Sequence, residues 1–196
     1  VPPTRFIVVG STVVLLAASC GGGVSAESTP ITDLSIEAQV SWEPPEAPDA
    51  GTRAAIAAAL GPDRPTSQQA GPALLPGPLP AGNGIEGVAS AELMVTRTVP
   101  TDIVRVDVVV RRADQTVVVS VSAMKEGDAP GCGAPLEQGW MSATIRGSPG
   151  CSLQVPGAVS FLRWDESGGT FQAEYGPEVA FDDLVAWLEA WHPPTG

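Results

Sequence analysis

Three cysteines, one histidine and five tryptophans are the side chains of this 196-residue chain best suited to chemistry or recognition. His192 is the only histidine and stands beside Pro193 and Pro194 near the end of the chain. A Ser-His-Asp relay would have to run through it, and a frayed terminus is a poor place for an oriented base. Neither a G-x-S-x-G elbow nor a Walker loop occurs. The short GCG and GNG runs at 131–133 and 82–84 read as turns, too short to cradle a dinucleotide. Glu126, Asp165, Glu166, Glu174 and Glu178 are of the right type for hydrolysis by two carboxylates. Their settings predict mostly solvated turn and edge residues. Metal binding is not expected, because the Cys132–Cys151 spacing is wide and a single histidine adds little. No cofactor motif is present.

The tryptophans carry more information. Trp140, Trp164, Trp187 and Trp191 all fall in the last third of the sequence. The expectation is a small core built from large side chains, each burying much area. The functional alternative is that the four line a pocket for an apolar, sugar or peptide ligand.

In the opening VPPTRFIVVGSTVVLLAASC, residues 1–19 read as an export signal. Arg5 supplies a minimal positive start, and 6–19 is an uncharged apolar stretch of 14 residues. That is short of the ~20 residues a membrane-spanning helix needs and suits a cleavable signal. Val1 fits a GTG start codon or a start lying upstream. Ala17, Ala18 and Ser19 run into Cys20, which resembles the lipobox of bacterial lipoproteins. The departure is Ala17, where that family more often has Leu, Val or Ile. The resemblance implies cleavage before Cys20, diacylglycerol on its thiol, and attachment to the outer face of the cell membrane. A secreted form, or one held by its N-terminal segment, is the alternative. With Cys20 lipidated, Cys132 and Cys151 remain as a pair, and outside the cytosol such a pair can form a disulfide.

Composition narrows the partners. The net charge is −12, with Lys125 the only lysine. Such an acidic chain lacks the cations that neutralise phosphates, which argues against nucleic acid and against electrostatic docking on anionic lipid. Abundant Ala, Val, Gly, Pro and Arg with a single asparagine, Asn83, suggest a GC-rich genome, with an actinobacterium the expected source. A monomer is expected.

The elements that must position these residues follow from periodicity. Residues 20–33 read as the lipidated cysteine and a flexible tether. Across 34–87 come a strand in which Leu34, Ile36, Ala38, Val40 and Trp42 alternate with polar residues, a short helix candidate at 53–61, and a Pro/Gly-rich segment expected to be loop or spacer. The globular domain is expected at 88–192. There, Val104, Val106, Val108 and Val110 alternate with Arg105, Asp107 and Arg111 before a turn and TVVVSVSAM, a strong hairpin signal. SFLRW, DESGG and TFQAEY make a second hairpin. Phe181, Leu184, Val185, Leu188 and Trp191 recur at helical spacing until Pro193. The predicted fold class is α+β: an antiparallel sheet of about six strands with a C-terminal helix packed on it.

Ile145, Arg146, Gly147, Trp164, Glu166, Gly168, Gly169, Tyr175, Asp183 and Leu184 form a cadence similar to small extracytoplasmic domains of bacterial envelope proteins, some attached to anti-sigma factors. The resemblance covers about a quarter of the chain. It implies a β-rich recognition or sensory module and carries over no functional residue. The expected function is therefore a non-enzymatic, surface-tethered binding or sensory domain for an envelope protein or small ligand. A carrier with an apolar cavity under the sheet, and an envelope hydrolase, are the alternatives.

Overall fold

The computed structural model describes residues 33–44, 50–51, 53–54, 56, 73–79, 85–99, 103–125, 132 and 139–193. The signal segment, Cys20, the tether, most of the helix candidate at 53–61 and Glu126 lie outside the described residues.

Eight strands form one sheet: β1 (Asp33–Trp42), β2 (Val88–Val99), β3 (Ile103–Arg112), β4 (Val117–Lys125), β5 (Met141–Ile145), β6 (Ser148–Leu153), β7 (Ser160–Glu166) and β8 (Gly169–Tyr175). Their spatial order is β1-β2-β3-β4-β8-β7-β6-β5, every neighbour antiparallel. Helix α1 (Phe181–Glu189) follows β8, and the described residues 50–51, 53–54 and 56 are also helical, overlapping the start of the helix candidate at 53–61. The α+β class stands, with eight strands in place of about six. The strand at Leu34–Trp42 joins the sheet by pairing with β2. Strand β6 contains Pro149 and Gly150, residues that weaken a strand signal, and Pro149 stands near its start.

Alternation explains why one face is buried. Register aligns Trp42, Ala91, Val110, Val119, Tyr175 and Ser160 in one row across the sheet. The next row is Val40, Leu93, Val108, Val121, Ala173 and Leu162. The third is Ala38, Val95, Val106, Ala123, Phe171, Trp164 and Gly150. With period-two side chains, these rows share a face. They join Leu184, Trp187, Leu188 and Trp191 of the helical segment in one core.

Two hairpins have turns that set this register. Arg146 and Gly147 both take positive φ (52° and 73°), as do Ser167 and Gly168 (53° and 76°). Two successive left-handed residues define the tight turn that matches the twist of antiparallel strands.

The Pro/Gly-rich segment departs from the spacer expectation. Ala73, Leu74 and Leu75 are buried in the core. Leu75 exchanges backbone hydrogen bonds with His192, at 2.8 and 3.1 Å. Gly77 passes so close to the helix end that a Cβ there would lie 2.0 Å from the Ala190 carbonyl oxygen. Its own carbonyl accepts from the Trp187 indole at 3.4 Å. The segment's prolines forgo strand hydrogen bonds while its leucines cover the helix, so it acts as a strap.

Candidate functional site

The tryptophans do not converge on one pocket. Trp164, Trp187 and Trp191 are each 1% exposed and belong to the core. Trp164 stacks on Phe171 with centroids 5.1 Å apart, and Trp187 meets Trp191 edge-on at 5.3 Å. Trp140 is half-buried elsewhere, its ring 4.5 Å beneath the Arg163 guanidinium. Arg163 alternates with Leu162 and Trp164 and so projects from the opposite face of the sheet.

That second face holds polar groups the sequence scatters along the chain. One register row is Gln39, Met94, Asp107, Ser122, Gln172, Arg163 and Cys151. Oδ1 of Asp107 accepts from Arg105 Nε at 2.7 Å and from Ser122 Oγ at 2.6 Å. Arg163 Nε donates to Gln172 Oε1 at 2.9 Å, and Gln172 Nε2 donates to Glu174 Oε1 at 3.0 Å. A chain of contacts thus crosses the face from Trp140 to Glu174. At its far side, Cys132 and Cys151 are joined by a disulfide with Cα atoms 5.7 Å apart.

The neighbouring row, Val109, Ser120 and Glu174, floors a hollow of about 370 Å³. Val117 and Val159 wall it and are 38% and 47% exposed. Arg111 completes the rim, with Tyr175 and Gly176 at one end. A polar hollow of about 210 Å³ lies on the other side of Tyr175, between the β6–β7 turn and the start of α1. Tyr175 is 4% exposed, and its hydroxyl lies near Ser160 without a well-formed hydrogen bond among the described residues. Burial raises its pKa above the ordinary tyrosine value, and the nearby Ser160 hydroxyl pulls weakly the other way.

No protein-family model, no curated protein and no solved structure matches this chain. The site therefore rests on its own geometry.

The carboxylates singled out by type are spread over several partnerships. Asp165 accepts from Thr170 Oγ1 at 2.7 Å. Glu166 accepts from Trp164 Nε1 and Arg146 Nε. Glu178 pairs with Arg112 at 3.0 Å. Among the described ones, only Glu174 faces the hollow. His192 is exposed, its Nδ1 lying 3.0 Å from the Pro193 carbonyl oxygen. Among the described residues no three His, Cys, Asp or Glu side chains gather as metal ligands, and no described helix is long and apolar enough to cross a membrane.

Sequence reasoning missed Asp107, Ser122, Gln172 and Arg163 as a group. Each is an ordinary polar position of an alternating strand. The available signal was the alternation itself, which assigns all four to the face opposite the valines, but only register makes them neighbours.

Proposed function

We propose that the protein is a cell-envelope lipoprotein whose domain works as a non-catalytic binding module. Residues 1–19 direct export, Cys20 carries the lipid, and the tether gives the domain reach from the membrane. The second face of the sheet is the recognition surface. The observation that carries this reading is the division of labour between the faces. One packs solidly against helix and strap, while the other holds a continuous polar and aromatic network beside a hollow. Recognition sites commonly combine apolar wall and a few fixed polar groups in this way. The acidic composition further supports a protein or small ligand over nucleic acid.

The carrier alternative draws less support. The layer between sheet and helix is filled by Trp164, Trp187, Trp191, Phe171 and their aliphatic neighbours.

Photo-crosslinking in intact cells tests the binding role. A crosslinker at Val117, beside the hollow, should yield a discrete adduct, and one at exposed Ala186 of α1 should not. Equal labelling from both positions, or none from Val117, would reject the assigned face. The anchor is tested separately: Cys20→Ala should abolish lipid labelling and release the protein, and persistent labelling would exclude Cys20.

A further inference from the structure

Arg111 and Glu174 both border the valine-walled hollow, yet they do not pair with each other. Arg111 Nη1 bonds the Gln115 carbonyl oxygen at 3.3 Å, a weak contact that leaves most of its donor fork available. Glu174 receives one hydrogen bond, on Oε1 from Gln172, leaving Oε2 open. The register puts their backbones two strands apart, each spacing about 4.8 Å, and two residues apart along the strand. Two opposite charges thus border one apolar space without pairing, and a ligand held there can meet both. Val109, Val117 and Val159 supply the apolar surface, and the Ser120 hydroxyl on the floor can donate or accept.

We infer that this hollow binds a short zwitterionic ligand with an apolar body, the chemistry of a di- or tripeptide of aliphatic residues with free termini. The ammonium end meets Glu174, the carboxylate end meets the Arg111 guanidinium, the side chains lie on the valines, and an amide meets Ser120. A neutral apolar ligand would leave both charges uncompensated. A singly charged one would satisfy only half of the site. This inference rests on the binding role proposed above and names its ligand class.

Calorimetric titration of the full-length protein with a panel of di- and tripeptides of Ala, Val and Leu tests it. Saturable binding is expected for free peptides, with affinity reduced about tenfold by N-acetylation and about tenfold by C-amidation, the scale of one charge-assisted hydrogen bond. Glu174→Gln should weaken the free peptide and leave the N-acetylated one unchanged. Arg111→Gln should do the same for the C-amidated peptide. Val159→Glu, at an exposed wall, should abolish binding without unfolding the domain. Capped peptides binding as tightly as free ones would overturn the zwitterion and leave a hollow for neutral apolar ligands, with the binding role intact. No binding by any peptide of the panel would overturn the ligand class, while a crosslinked adduct from Val117 would still mark the face as a recognition surface.

Discussion

Arg146 and Glu166 meet at the seam between sheet and helix, the Nε–H of Arg146 donating to Oε2 of Glu166 at 2.9 Å. The same guanidinium closes the end of α1: its Nη1 donates to the carbonyl oxygens of Leu188 at 2.6 Å and Trp191 at 2.5 Å. The Leu188 carbonyl also accepts from the Trp191 backbone N–H at 3.0 Å, and α1 has no basic residue in its last turn. One side chain from a tight turn thus does the work of a helix cap, and Glu166 holds it in place.

Removing this latch should be costly because both partners are largely buried, at 13% and 20% side-chain exposure. Arg146→Asn is the informative variant, since asparagine tolerates the left-handed turn that Arg146 occupies. It should lower stability in urea unfolding by about 2–4 kcal/mol. A loss under about 0.5 kcal/mol would show that the turn, not the latch, is what matters there.

The tryptophans should separate into two energetic classes. Trp164→Ala empties a fully buried site and should cost about 3–5 kcal/mol. Trp140→Ala removes a half-buried ring whose main described contact is Arg163, and should cost about 1 kcal/mol or less. Comparable losses at both positions would contradict the assignment of Trp140 to the second face.

Reduction of the Cys132–Cys151 bond, which closes a loop of sequence separation 19, should lower stability by about 3 kcal/mol. The check is a denaturant curve with and without reductant, paired with Cys132→Ser/Cys151→Ser. Coincident curves in reducing and oxidising buffer would mean that the bond does not stabilise the domain.

Tyr175 is the only tyrosine, so phenolate absorbance reports on it alone. Its folded pKa lies above the unfolded value, which means the native state favours the neutral phenol. Its contribution is complete below the unfolded pKa of about 10 and is lost as pH rises through the folded value. The phenolate signal should therefore appear above pH ~10, together with loss of structure. Ionisation at an ordinary tyrosine pKa in the intact fold would count against a buried hydroxyl.

Asp114 shows the opposite sign. The Thr116 backbone N–H donates to its Oδ1 at 2.9 Å and lowers its pKa. Its support for the β3–β4 turn is present above the unfolded pKa of about 3.9 and is lost as pH falls through the lower folded value. Amide exchange at Thr116 should accelerate across that acid range, and Asp114→Ala should remove the dependence.

Much of the architecture was legible where residues report on their own neighbourhood. The valine alternation from Val104 to Val110 and the helical spacing from Phe181 to Leu188 correspond to a strand and a helix. Strand β6 was only partly legible because Pro149 and Gly150 mask it, and the Pro-rich strap because its leucines are buried by long-range packing. The hollow was not legible at all. Val109, Ser120 and Glu174 lie far apart along the chain, and only the β3–β4–β8 register brings them together. Arg146 stands in the sequence only as part of the cadence similar to envelope domains, since nothing local reveals that its fork reaches carbonyls more than forty residues later.

The strand order also sets a timetable. Strands β1 to β4 form a meander of nearest neighbours, and β5 to β8 form another, the two meeting only where β4 pairs with β8. A chain emerging amino end first can complete the earlier meander while the later one is still being delivered. During that interval β4 is an unpaired border carrying Val119, Val121 and Ala123, and its natural partner is the last strand to arrive. The most hazardous moment in this protein's assembly is thus a waiting time, and mutations that slow completion of the second meander should be felt first as aggregation.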